Sequence, residues 1–234
     1  MNCLTTMVVG NGMIARHFQE YAERDDVLIF ASGVSNSKET RPEPFLREWN
    51  LMQEWVAQAG DRLFVYFSTC SVADPTEENA PYVQHKLAVE EFIATHTKHY
   101  LIIRASNVVG GAGNPHTILN YFLNRVTSGE PFDIWQGATR NLIDIDDMYR
   151  VVTYFMEQKD RWNRILNVAN PYSVSPLQIV RAVETHTRRQ GNYRLIAKGS
   201  PFAIDTSDCA AILADRQHDL RPEQYLHYLL QKYY

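Results

Sequence analysis

Four compact apolar runs recur through the first half of the chain: "CLTTMVVG" (3–10), "DVLIFASG" (26–33), "RLFVYFS" (62–68) and "YLIIRAS" (100–106). They are continuous rather than alternating, and the first two end in glycine. That pattern predicts strands buried on both faces. The segments between them have helical periodicity. "MIARHFQEYAERD" (13–25) sets Ile14, Phe18 and Tyr21 on one side. "FLREWNLMQEWVAQAG" (45–60) is amphipathic, with Gly60 as its expected stop, and the polar "SNSKETRPEP" (35–44) before it reads as a loop. "YVQHKLAVEEFIATH" (82–96) starts just after Pro81, a helix-start signal. Strand and helix alternate, which predicts an α/β fold with a parallel sheet covered by helices on both sides.

After Gly113 the pattern changes. "HTILNYFLNRVTSG", "DDMYRVVTYFMEQ" and "SPLQIVRAVETHT" read as helices, the last with Ser175 as N-cap before Pro176. "PFDIWQG", "RNLIDI" and "RILNVAN" read as short strands, and the tail from Ser207 as mostly helical. The expected division is a dinucleotide-binding core over 1–110 and a substrate-binding lobe over 111–234, some of whose elements return to the core. At 234 residues the chain can build a full core without disulfides. A net charge of −4 argues against a nucleic-acid partner. No apolar run approaches the ~20 residues of a membrane helix. No basic region precedes the first apolar run, so no secretory leader is expected. Cys3, Cys70 and Cys209 lack metal spacing and cannot all pair, which suits reduced thiols in a cytoplasm.

Two groups of residues carry candidate chemistry. "VVGNGMIA" places Gly10 and Gly12 between the first strand and the first helix, with Ala15 in the third slot of G-x-G-x-x-A. The first glycine allows the tight turn, and the second admits a pyrophosphate at the helix start. The second group is Thr69, at the carboxyl end of a strand, with Tyr82 and Lys86 one turn apart on the next helix. A free tyrosine, with a pKa near ~10, is a poor base at neutral pH. A nearby ammonium favours the phenolate, so such a trio could move a proton at a carbinol oxygen while a nicotinamide exchanges the hydride. Spacing alone does not decide, because Tyr228 and Lys232 repeat it. No strand-end hydroxyl precedes that second pair, and the tyrosine-rich tail reads as a docked amphipathic helix.

Taken in order, "VVGNGMIA", "FASG", "FSTCSV", "YVQHK", "LIIRASNVVG", "TRNLIDIDDMYRVV" and "ILNVAN" resemble the extended short-chain dehydrogenase/reductases, the nucleotide-sugar epimerases, dehydratases and ketoreductases. The resemblance implies a Rossmann-type sheet and NAD or NADP as cofactor. It makes Thr69, Tyr82 and Lys86 the catalytic set, with Lys86 also gripping the nicotinamide ribose. The cofactor would lie over Gly10, Asn11, Gly12, Met13 and Ile14, over Ala31, Ser32 and Gly33, and beside Ser68, Tyr82 and Lys86. Asn107 would lie near the sugar nucleotide, and Arg140 would fork onto its diphosphate. A homodimer through "LMQEWV" and "LAVEEFI" would fit the family's four-helix bundle.

The chain also departs from that family. Between Gly12 and Thr69 there is room for one further strand and one further helix, so the second and third strands of a full dinucleotide fold are expected to be missing. "DVLIFASG" then matches the family's fourth strand, with Asn50 as the asparagine of the following helix. The acid expected ~20 residues after the glycine turn is also missing, since that mark falls on "IFASG". Cys70 and Ser71 stand where the dehydratases carry Asp-Glu, which leaves ketoreduction or epimerisation. Cys70 reads as a small strand-end filler and His85 as a surface or interface residue. The rival expectation is a non-catalytic relative that binds a nucleotide or a protein partner.

Overall fold

A computed structural model of the chain describes residues 6–111, 117–216 and 218–234. Cys3, the start of the first apolar run and Gly113 lie outside the described residues.

A parallel sheet of five strands organises the fold: β1 (Val8–Val9), β2 (Val27–Phe30), β3 (Leu63–Thr69), β4 (His99–Ala105) and β8 (Arg164–Val168), in that spatial order. The chain reaches β2 through α1 (Met13–His17), β3 through α2 (Pro42–Val56), and β4 through α3 (Pro81–His96). All seven residues of β3 are buried. Side chains alternate across a strand, and that alternation sorts them between two cores. Ile29, Val65, Phe67, Ile103 and Leu166 face one way, onto Met148, Val152 and Phe155 of α5 (Ile145–Met156). Leu28, Phe30, Phe64, Tyr66 and Ile102 face the other way, onto Met52 and Val56 of α2 and Val89 and Ile93 of α3.

The strand order confirms the expected shortening. Among the described residues β1 is an edge strand, paired on one side with β2 at Val8–Ile29 and Val9–Phe30. The two strands that would extend a full dinucleotide fold beyond β1 are absent there.

The second half supplies α4 (Ile118–Ser128), α6 (Pro176–Thr187), α7 (Ser207–Ala214) and α8 (Pro222–Tyr233). It also supplies two small parallel pairs, β5 (Asn107–Val109) with β7 (Leu142–Asp144), and β6 (Phe132–Trp135) with β9 (Tyr193–Ile196). Phe122, Ile134, Ile179, Val183, Leu226 and Leu229 gather into a separate core. Ser175 caps α6 in a full capping box with Gln178.

Three local expectations are corrected. The first helix ends at His17 and gives way to a 3-10 turn at Gln19–Tyr21, where Phe18 and Tyr21 turn into the core. Pro42 and Pro44 are not loop residues but lie in the first turn of α2, where a missing N–H costs nothing. The same helix stops at Val56, short of Gly60, which sits in the turn beyond it at φ +57°. Strands β5 and β9 were not foreseen. Among the described residues, no helix is long and apolar enough to cross a membrane.

Candidate active site

The carboxyl ends of the sheet strands carry the expected residues. Gly10–Gly12 follow β1, Ala31–Gly33 follow β2, and Ser68 and Thr69 close β3. Gly10 adopts φ +129°, and a Cβ there would lie 2.5 Å from the Ala31 carbonyl oxygen. The glycine turn therefore rests directly on the loop after β2, and only glycine fits. A Cβ on Gly12 would meet no atom within 4 Å, so the turn opens onto free space. Gly10→Ala is expected to cost about 1–3 kcal/mol from the forced backbone conformation and the carbonyl clash. A lowered urea-denaturation midpoint would show it.

On α3, Tyr82 and Lys86 come together beside β3. The Lys86 Nζ lies 5.8 Å from the centre of the Tyr82 ring. Lys86 is only 2% exposed, and its ammonium is held from below. It donates to Glu48 Oε1 at 2.9 Å and to the Tyr66 hydroxyl at 3.0 Å. Glu48 also accepts from the Tyr66 hydroxyl and the Val34 N–H, both at 2.6 Å. Burial pushes the Glu48 carboxyl up, but the Lys86 charge and the His85, Tyr66 and Val34 donors outweigh it and hold the group well below the carboxylate range. The Tyr66 phenol is driven well above its ordinary value by burial and by Glu48.

Glu48 was not among the expected site residues. The asparagine matched on that helix, Asn50, is exposed, whereas Glu48 is fully buried beneath Lys86. His85 is also corrected: its side chain is 10% exposed, its Nε2 lies 3.1 Å from Glu48 Oε2, and its ring packs on Phe45.

The Thr69 hydroxyl accepts from the Ser71 N–H at 3.1 Å, capping the 3-10 turn at Cys70–Ala73, and keeps its proton for donation. The Ser68 hydroxyl donates to the buried Glu90, which Arg104 also grips at 2.6 Å, so its proton is committed and it could meet a cofactor only as an acceptor. Cys70 fits the filler reading. Its thiol donates to the Arg104 carbonyl at 2.9 Å, and burial pushes it up to about 12, far from a reactive thiolate.

The β5–β7 pairing sets Asn107 opposite Leu142, two residues beyond Arg140. Asn107 donates its side-chain amide to the Asn141 carbonyl at 2.8 Å. Arg140 is pinned by backbone hydrogen bonds with Val174 at 2.7 and 2.8 Å. Burial lowers the Arg140 guanidinium against the opposing pull of Asp74 and Glu77, which lie in the loop between β3 and α3. The second Tyr-Lys pair is structural: Tyr228 and Lys232 both donate to Asp144 at 2.6 Å and dock α8 on the start of α5.

A glycine turn and strand-end loops at the carboxyl edge of a parallel sheet define a class, the Rossmann-type α/β proteins. Residues 13–169 match the model of the NAD dependent epimerase/dehydratase family, and the chain belongs to that family. A search of curated protein sequences finds no match. Solved structures share the fold at low identity. The UDP-glucose 4-epimerase of Thermus thermophilus, in complex with NAD, aligns at 16% identity and TM-score 0.69, over 93% of this chain and 80% of its own. The UDP-glucuronic acid 4-epimerase of Bacillus cereus, with UDP-glucuronic acid and NAD, aligns at 18% and 0.70, over 95% and 80%. RMD from Pseudomonas aeruginosa, with NADPH, aligns at 13% and 0.70, over 94% and 95%.

Proposed function

We propose that this protein is an NAD- or NADP-dependent oxidoreductase or epimerase acting on a nucleotide-sugar, by ketoreduction or epimerisation. The observation that carries the reading is the pairing of Tyr82 with a buried, charge-compensated Lys86 at the strand ends of a family member. The residues present fit the cofactor's nicotinamide and diphosphate part. The glycine turn is open above Gly12, and Lys86 has one N–H beyond those given to Glu48 and Tyr66. When bound, the cofactor would supply a hydride acceptor or donor. Tyr82 would take the proton from, or return it to, the carbinol oxygen, and Thr69 would donate a hydrogen bond to that oxygen. Asn107 and Arg140 would hold the sugar nucleotide, with residues 111–234 as its lobe. Trp49 and Phe92, whose ring centres lie 5.3 Å apart, lie on the helix pair that would meet a second copy in a homodimer. The buried, unpaired thiols of Cys70 and Cys209 suit a cytoplasmic enzyme.

A second reading, a family member that binds without turnover, is favoured by one observation. With β1 at the sheet edge, half of the usual adenosine pocket has no strand to carry it. Calorimetric titration with NAD, NADH, NADP and NADPH separates the two readings. The enzyme reading expects saturable binding of at least one dinucleotide, and NAD retained through purification would point to an epimerase. No binding of any of them at about 1 mM, a free energy of only ~4 kcal/mol, would overturn it.

A further inference from the structure

Glu48 occupies a position that helical periodicity reserves for an apolar side chain. It lies on the stripe of α2 that runs from Phe45 to Met52 and Val56, and it is fully buried. A carboxylate without partners there would be strongly unfavourable. Instead, three donors hydrogen-bond it, the Val34 N–H, the Tyr66 hydroxyl and the Lys86 ammonium, and His85 Nε2 lies 3.1 Å from its Oε2. Both oxygens thus have partners. Its partner Lys86 is equally committed. Of three N–H groups, one goes to Glu48 and one to Tyr66. The loop after β2 lies directly over the pair, because a Cβ on Gly33 would fall 2.7 Å from Lys86 Nζ and 2.9 Å from Glu48 Oε1. Gly33 therefore lets the loop meant for the cofactor rest on the ion pair without displacing it.

We propose that Glu48 is a positioning residue for cofactor binding. With Tyr66 it fixes the buried Lys86 ammonium by two of its three N–H groups and leaves the third for the ribose of the dinucleotide. This rests on the functional reading above. Lys86 meets Glu48 from α2, Tyr66 from β3 and the Tyr82 ring on its own helix, and the next acid along that helix, one turn further on, is Glu90. Of these two, Glu48 makes the ion pair with Lys86, while Glu90 is taken by Ser68 and Arg104. Removing the Glu48 charge leaves a buried cation without its ion-pair partner, which then favours leaving its site.

The test is a double-mutant cycle read by dinucleotide binding. NAD, NADH, NADP and NADPH are titrated into the parent, Glu48→Gln, Lys86→Met and the double variant. Glu48→Gln is expected to weaken binding about tenfold, the scale of one hydrogen bond from a charged group. In the Lys86→Met background the same substitution is expected to have no further effect. A cost that persists there would make Glu48 a structural residue only and overturn the proposal, as would a Glu48→Gln protein that binds like the parent. Should Glu48→Gln alone fail to fold, Tyr66→Phe carries the same cycle with both charges kept. Weaker binding only when Lys86 is present supports the proposal, and unchanged binding overturns it. A parent that binds none of the four dinucleotides overturns the functional reading and this inference together. A parent that binds, with indifferent variants, overturns this inference alone.

Discussion

Under the proposed function, Tyr82→Phe is expected to lower turnover by about 10²–10⁴-fold while leaving the fold and the dinucleotide affinity near those of the parent. The magnitude is that of a lost general acid–base. The selectivity comes from the local structure. Tyr82 is nearly buried, so its ring packs as the second residue of α3. Among the described residues its hydroxyl makes no hydrogen bond, so phenylalanine leaves no donor or acceptor without a partner. Lys86 keeps Glu48 and Tyr66 in the variant, so its ammonium stays in place. Kinetics with the substrate that the parent turns over, a melting curve and a cofactor titration together decide the matter. Turnover within about threefold of the parent would remove Tyr82 from the acid–base role. An equal loss of stability would instead mark it as a packing residue.

The shortened sheet was legible because it is a matter of chain length. Only one strand and one helix fit between Gly12 and Thr69, and β1 duly pairs with β2 at the sheet edge. The main strands were legible for a related reason, since continuous apolar runs such as Leu63–Phe67 belong only where both faces are covered. Glu48 was not legible. Periodicity treats an acid within an amphipathic helix as solvent-facing, and its partners come from three other elements. A signal did exist: Glu48 stands three residues after Phe45 and four before Met52, on the apolar stripe itself. Reading that stripe strictly would have marked it as a buried acid in need of a cation. His85 was misplaced for the same reason, because its neighbour Glu48 was unseen. Strands β5 and β9 are three and four residues long, with half-exposed positions, so they carry too little pattern to stand out. The short first helix follows from Phe18, whose ring turns into a cluster with Tyr21, Phe67 and Tyr149.

The edge position of β1 and the buried pair beneath Gly33 bear on one another. A dinucleotide fold that has lost the strands flanking its adenosine pocket must draw more of its affinity from the nicotinamide end. Along the diphosphate and nicotinamide part of the proposed site the loops are tightly packed: Gly10 lies against Ala31, Gly33 lies against Lys86, and Glu48 ties the loop after β2 to α3 through Val34 and Lys86. Rigid donors lose less entropy on binding than mobile ones, so such a site can hold its ligand with fewer contacts.

Asp144→Ala is expected to destabilise the protein by about 2–4 kcal/mol at neutral pH, from a lost helix cap together with lost hydrogen bonds to a buried carboxylate. For a chain of this size that is a fall in Tm of roughly 5–15 °C. Asp144 is fully buried at the junction of β7 and α5. Its Oδ1 accepts from the Asp146 N–H at 2.9 Å and from the Tyr233 hydroxyl at 2.7 Å. Its Oδ2 accepts from the Tyr228 hydroxyl and from Lys232 Nζ, both at 2.6 Å. One carboxylate thus caps α5 and anchors α8, so the amides of α8 should lose hydrogen-exchange protection first. Burial pushes the Asp144 carboxyl up, but the Lys232, Tyr228 and Tyr233 donors outweigh it and hold the group below its ordinary value. A depressed folded value means that stability is fully present above the unfolded aspartate value, about 3.9, and is lost as pH falls through the folded one. The stability gap between parent and variant should therefore be widest at neutral pH and narrow below about pH 4. Urea denaturation of both proteins across that range isolates the Asp144 contribution, because the other carboxylates titrate in both. A gap of constant size down to pH 3 would show that the carboxylate charge does not hold α8 in place.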